Sequence, residues 1–332
     1  MRPVLRNRSG WLSASILIVV ALISLAAGFV APYDAEHQHR RLPFAPPTRV
    51  HLFTEDGTFH GRPFVHPLVA RMDGGYDEDR SRTIDLDLLT RDSDGRLRLF
   101  GVDSPDVVFL LGSDRYGRDQ FSRLLYGARV SLFAGTLAGL LAVGLGLVIG
   151  GVGGYFGGWL DHLLTRVTEL FLILPWLYLL LAVRAFLPLH ITATQTFLLL
   201  VCLIGLVGWA QPARLVRGVV LSAKERDYVT AARGFGASEP YLIRRHVLPQ
   251  TYSVAATQLA LRIPAFILAE VTLSFLGLGV AEPVPSWGNM LASLQEYHVL
   301  VSYPWMFWPA GLLVVVILCF HGVASSMQQR LG

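Results

Sequence analysis

Apolar positions along the chain gather into runs at about 11–31, 131–153, 165–187, 195–213, 252–279 and 306–325. Each is long enough, or nearly so, to cross the roughly 30 Å hydrocarbon core of a bilayer as a helix at about 1.5 Å per residue. The pattern predicts an all-α polytopic membrane protein with six spans. An even number puts both termini on one side, and Arg2, Arg6 and Arg8 ahead of the first run select the cytoplasm. That run exceeds the about 7–15 residues of a cleavable signal core, which predicts an uncleaved first span; Ala26 and Ala27 leave a weaker cleavage reading open.

The short polar stretches test this orientation. Between the fourth and fifth runs lie Arg214, Arg217, Lys224, Arg226, Arg233, Arg244 and Arg245 against Glu225, Asp227 and Glu239, a net positive loop suited to the cytoplasm. Between the fifth and sixth runs Glu282 and Glu296 suit the opposite side. The long polar stretch after the first run carries Asp-Gly pairs at Asp56-Gly57 and Asp94-Gly95 between partly alternating segments, which predicts hairpins and a small β-rich extracytoplasmic insert. A disordered loop is the alternative, since isolated two-stranded ribbons are marginal. His37, His39, His51, His60 and His66 fall in the same stretch and read as solvated surface groups, without the spacing of a metal site. The boundaries that follow are 1–31 for the N-terminal tail and first span, 32–110 for the insert and 111–332 for the remaining membrane domain.

Gly146, Gly150, Gly154 and Gly158, preceded by Gly135 and Gly139, recur at four-residue spacing on one helix face. In lipid, such small residues let helix backbones approach closely, the reading preferred here over a hinge. Composition agrees with a membrane chain: of 332 residues 53% are hydrophobic and 16% charged, with a net charge of +4. The basic residues form no concentrated patch, which argues against nucleic-acid binding. Cys202 and Cys319 lie inside apolar runs and offer neither a disulfide framework nor a metal site. The sole lysine, Lys224, is followed by Glu225, so no phosphate-binding loop ending in Gly-Lys-Ser/Thr exists. The usual nucleophile and metalloenzyme motifs are also missing, and the sequence implies no cofactor. Glu169, Arg184, Arg262 and Glu270 are the ionisable residues within the predicted spans. Glu169 and Arg184 sit near span ends, where long side chains snorkel; Glu270 is either a partner for Arg262, two turns earlier, or part of a transport pathway with it.

Within the loop 221–250, Asp227, Tyr228, Thr230, Ala231 and Ala232 precede Gly236 and Ala237, and a second segment ends on Leu248-Pro249. The pattern predicts two short helices at an angle, the second stopped by Pro249. This stretch resembles the Glu-Ala-Ala coupling loop of ABC importer permeases, which in that family docks on the ATPase; Ala231, Ala232 and Gly236 match in register. Thr230 stands where the family usually has Glu, so either Asp227 or Glu225 substitutes or the partner groove differs.

Two further stretches resemble the dipeptide, oligopeptide and nickel permeases of that class. One contains Gly112, Asp114, Gly117, Arg118, Asp119, Arg123, Gly127 and Arg129; the other runs from Ser274 to Gly279 and on through Ser286, Trp287 and Gly288. Read without the resemblance, Gly117 and Gly127 are turn formers, Arg118 and Arg129 interfacial charges, Trp287 a membrane-interface anchor, and 112–132 an amphipathic surface element. The resemblance implies the type I ABC importer permease fold in a bacterial inner membrane and no catalytic residue in this chain. It also implies a second permease subunit, two ATPase subunits and an extracytoplasmic substrate-binding protein as partners, with peptides as cargo. Nickel or another small solute is the alternative within the family, and an ion-coupled transporter using Glu270 and Arg262 the alternative outside it. The chain departs from the family in its long insert and in its C-terminal end at His321–Ser326, which lacks the usual acidic ending.

Overall fold

A computed structural model describes residues 8–53, 58–72, 74–92, 95–103, 105–185, 192–280 and 282–331. Arg2, Arg6, the turn at Glu55–Gly57, Ser93, Asp94 and the Arg184 side chain lie outside the described residues. The helices are α1 (Arg8–Leu25), α2 (Ala27–Val30), α3 (Gln120–Phe156), α4 (Gly158–Ile173), α5 (Trp176–Ala185), α6 (Ala193–Gly208), α7 (Ala210–Lys224), α8 (Asp227–Gly234), α9 (Glu239–Leu242), α10 (Leu248–Phe275), α11 (Trp287–Ala292), α12 (Tyr297–Ser302) and α13 (Trp308–Leu331). Among the described residues three helices are long and apolar enough to cross a membrane, in Gln120–Phe156, Glu239–Phe275 and Pro304–Gln329. The pair α6–α7, bent by 42° at Trp209, makes a fourth candidate.

The run at 165–187 is not one helix. Pro175 lacks an N–H and forces Leu174 into extended backbone (ψ 131°), so α4 ends and α5 begins anew. Pro249, by contrast, does not stop its helix. Residues Ile243–Val247 widen into one turn of π-helix, in which Leu248 N–H donates to Ile243 O, and α10 continues from there. The wider turn relieves the clash that a proline ring makes with the preceding turn.

The chain forms two compact units, Met1–Leu17 with Leu132–Leu273 and Val316–Gly332, and Ile18–Ser131 with Ser274–Val315. In the first, α3 lies directly on α7. A Cβ on Gly146 would stand 2.6 Å from Pro212 Cβ, on Gly150 2.3 Å from Ala213 O, and on Gly154 2.9 Å from Arg217 O. Gly135 and Gly139 face Ile267 and Ile263 of α10 in the same way. Gly158 departs from the stripe: with Gly157 it makes a left-handed turn (φ 62° and 68°) between α3 and α4. Lys224 completes the α3–α7 contact by donating to Gly154 O at 2.8 Å, where α3 runs out of N–H partners for its carbonyls.

In the second unit short antiparallel strands run from His51 to Gly101: β1 (His51–Phe53), β2 (Phe59–Val65), β3 (Leu68–Ala70), β4 (Tyr76–Glu78), β5 (Ile84–Asp85), β6 (Asp87–Leu88) and β7 (Phe100–Gly101). They form a sheet of order β1-β2-β5 and the pairs β3-β4 and β6-β7. Buried Arg98 ties them to the end of the first helical segment, donating to Asp34 (2.7 Å), Asp92 (2.8 Å) and the Gly28 carbonyl (3.0 Å). The histidines here are not uniformly solvated. His66 is buried and its Nδ1 lies 2.8 Å from Arg82 O, while His39 is half-buried, its pKa lowered to about 4 by burial and by His37.

Asp119 starts α3: its Oδ2 accepts from the Ser122 N–H at 2.7 Å and the Ser122 hydroxyl at 2.6 Å, satisfying an orphan donor of the first turn. Its Oδ1 is buried without a partner, and burial raises the carboxyl from 3.8 to about 6, against the lowering effect of the Ser122 bonds.

Replacing Gly150 by Val should destabilise the protein by roughly 3 kcal/mol or more, since the rigid Ala213 carbonyl cannot move aside. Gly151→Ala, with open space around the added Cβ, should be neutral or stabilising. Thermal unfolding in detergent distinguishes the two, and equal losses would contradict the packing account. For Asp119, the folded-state pKa lies above the unfolded one, so the stability it contributes is complete below about pH 4 and lost as pH rises through about 6. Asp119→Asn keeps the cap and removes the charge. At pH 7 it should therefore exceed the wild type by up to roughly 3 kcal/mol, at 1.36 kcal/mol per unit, with the gap closing below about pH 4. A gap independent of pH would refute this.

Candidate functional site

Asp227 opens α8, where a negative charge favours the N-terminal dipole, and Val229 is its buried anchor. Tyr228, Thr230 and Ala231 are exposed and Ala232 is half-buried. The helix closes in a Schellman arrangement: Ala237 N–H donates to Ala232 O (3.1 Å) and Gly236 N–H to Arg233 O (3.0 Å). That closure places Gly236 at φ 86°, a conformation that costs a non-glycine residue. Phe235, 93% exposed, stands at the apex.

The chain then turns into α9, where Pro240 occupies the first turn and Leu242 is buried. Arg233 Nε donates to Glu239 Oε1 at 3.2 Å, and the Tyr155 hydroxyl at the end of α3 donates to Glu239 Oε2. Those bonds, the tyrosine's first, hold the Glu239 carboxyl below its ordinary range. His246 packs between Tyr228 and Tyr241, with ring centroids 5.7 Å from each. Val247 joins Val216, Val220 and Ala223 of α7 in a buried cluster against Leu147 and Tyr155 of α3. Leu248 and Pro249 form the start of α10 beside it. Residues 227–249 are thus a braced knob with an exposed outer face. Thr230 lies on that face with Asp227 one turn earlier, so a carboxylate stands three residues from the position where the resembling loops carry Glu.

The residues at 112–129 and 282–288 form a separate, buried arrangement inside the second unit. Asp114 accepts from the N–H groups of Tyr116 (2.8 Å) and Arg118 (3.0 Å) and from Arg118 Nε at 2.6 Å. Arg118 and Arg123 both grip Glu282, at 2.6 and 3.1 Å. Gly112 and Gly117 are left-handed, and a Cβ on Gly117 would stand 2.1 Å from His39 O. Gly127 is no turn former: it lies within α3 and lets Ser286 approach, a Cβ there meeting its carbonyl carbon at 3.4 Å. Ser286 caps α11 through Asn289 N–H. Trp287 is fully buried, not interfacial, its Nε1 donating to Leu124 O (3.3 Å) and its N–H to Ser131 Oγ (3.1 Å). Gly288 is buried beside it, and Arg129 is exposed. Arg118 is likewise no surface charge, since it is 5% exposed. The geometry of this group is that of a structural clamp.

Glu169 pairs with Arg166 at 2.8 Å. Glu270 is buried in α10, but Arg262 makes no ion pair with it or with any other described residue. Sequence reasoning missed the pairing of Arg217 with Asp161, through Nε–Oδ1 (2.5 Å) and NH2–Oδ2 (2.6 Å), which ties α7 to α4. It also missed Phe235 and the capping role of Lys224. The partners lie 56 and 70 residues apart, beyond any local period, although a lone lysine beside a glycine-rich helix end was a signal.

Residues 142–331 match the family of binding-protein-dependent transport system inner membrane components, and residues 1–47 match the N-terminal transmembrane domain of oligopeptide transport permease C. The dipeptide transport system permease protein DppC of Bacillus subtilis is 36% identical over 228 residues, 68% of this chain and 69% of that protein. The oligopeptide transport system permease protein OppC of the same organism is 33% identical over 68% of this chain and 72% of its own length. A solved structure of the MetNI methionine ABC transporter, in an inward-facing conformation, superposes with a TM-score of 0.50 over 63% of this chain and 96% of that one, at 15% identity, a likeness of fold alone. The chain therefore belongs to the inner membrane components of binding-protein-dependent transport systems, multi-pass membrane proteins with the type I ABC importer permease fold.

Proposed function

We propose that this chain is one of two permease subunits of a peptide importer, moving di- or oligopeptides across a bacterial inner membrane on ATP hydrolysed by two partner subunits. An extracytoplasmic binding protein delivers the cargo. The observation that carries the reading is the exposed, braced knob at 227–249, lying inside the family match. Similarity to proteins named as dipeptide and oligopeptide permeases supports the peptide class. In this reading six spans cross the membrane with both termini cytoplasmic, residues 32–110 form an extracytoplasmic insert, and residues 111–332 form the permease domain with its coupling loop at 221–250.

The bonding within the first unit supports a lever mechanism. Glu239 is bonded to Tyr155 on α3, Val247 packs on α7, Lys224 holds the end of α3, and Arg217 holds α4. A displacement of the knob by an ATPase therefore moves α3, α4, α7 and α10 together, the kind of rigid shift that converts between discrete packings. Asp227, Tyr228, Thr230, Ala231, Ala232, Gly236 and Ala237 supply the docking face and its turn, with Leu248 and Pro249 leading the motion into α10. Arg262 and Glu270 belong to the pathway.

Ala231 is exposed, so Ala231→Trp should leave insertion and membrane abundance unchanged while lowering peptide uptake roughly tenfold by blocking the docking face. Gly236→Pro, incompatible with φ 86°, should do the same through the turn. Uptake in cells expressing the assembled transporter measures both. Wild-type rates in the two variants would remove the coupling assignment.

A further inference from the structure

Within the first unit a cavity of about 280 Å³ opens among α4, α5, α6, α7 and α10. Its walls are chiefly apolar, with Phe171, Leu180, Ile204 and Phe266 prominent, and its polar side chains are Gln211 and Arg262. The Arg262 Nε is buried without a hydrogen-bond partner, and no described residue forms an ion pair with the guanidinium. An arginine stays charged at physiological pH, and an ionisable group inside a membrane-spanning helix is costly unless it faces a cavity or meets a partner. The ordinary partners are therefore supplied from outside the described residues.

We propose that Arg262 reads the C-terminal carboxylate of a peptide in transit. The inference rests on the peptide-permease reading and assigns chemistry to one side chain within it. A planar guanidinium offers paired N–H donors that match a carboxylate in a two-bond fork. Across peptides of differing sequence the two termini are the charged groups that stay constant, and a cation repels the ammonium end and accepts the other. The apolar wall tolerates whichever side chain adjoins that carboxylate. The cavity lies at the lower end of the size range of small-ligand pockets, room for the terminal residue of a peptide. One charged contact among apolar ones also makes a station that releases its cargo, as a transport pathway requires.

The test compares uptake of a labelled dipeptide and its C-terminal amide by cells carrying the assembled transporter with wild-type, R262K or R262Q permease. Concentrations are set so that the wild type takes up each measurably, and membrane abundance is matched by immunoblot. R262Q should lower uptake of the free acid roughly tenfold or more and that of the amide less than twofold, with R262K between. The binding protein is common to all, so its own selectivity cancels. A parallel fall for both peptides would show that the guanidinium pairs with a lipid phosphate or a carboxylate of another subunit, and would overturn the proposal, as would no change for either. If R262Q does not reach the membrane, R262K carries the same comparison. If no concentration gives measurable uptake of either peptide by wild-type cells, the peptide-permease reading itself is overturned, and this assignment with it.

Discussion

The contact of α3 with α7 is the constraint on which the first unit depends. Lipid supplies no hydrophobic force between helices, so two spans stay together through van der Waals approach and internal satisfaction of polar groups. Gly146, Gly150 and Gly154 allow the approach, and a single methyl on any of them would meet α7 within 2.9 Å. Polar bonds then secure what the glycines permit. Lys224 reaches back from α7 to the last carbonyls of α3, and Arg217 reaches from α7 to Asp161 on α4. Because these bonds lie at the end of α3 beside the knob at 227–249, the loop and three helices are braced as one body. A loop joined only by flexible chain could not transmit a displacement.

The same economy governs the second unit, where polar side chains do the tying. Arg98, Arg118 and Arg123 are each at most 5% exposed, and each is matched by carboxylates or carbonyls. Removing one partner would leave a buried charge uncompensated, a change that costs several kcal/mol where replacing the whole pair need not. The stretch at 112–129 is thus held by shape and charge together: left-handed Gly112 and Gly117 bend the loop so that Asp114 faces Arg118.

What the sequence disclosed follows from the range of the forces involved. Local features were legible: the glycine spacing named a helix face, the charge of the 214–245 loop set it apart, and the Ala231-Ala232…Gly236 register marked the turn that Gly236 makes at φ 86°. The break within the run at 165–187 escaped the pattern because hydropathy averages over Pro175, and the continuity past Pro249 because a π-turn can absorb a proline. Arg118 and Trp287 looked superficial because nothing local reveals Glu282 or Leu124 across more than 150 residues of chain. Burial of a polar side chain is decided by a distant partner, and a one-dimensional pattern carries no record of that partner.

Arg262 stands out against this background. Arg98, Arg118 and Arg123 are buried and Arg217 is partly buried, and each has a carboxylate partner, at 2.5 to 2.7 Å for the closest pair in three of the four cases. Among the described residues none supplies a carboxylate for Arg262, which lines a chiefly apolar cavity. In a spanning helix a leucine would pack at lower cost than an arginine without a partner. On the proposal made above, the carboxylate of a peptide in transit supplies the interaction that offsets that cost.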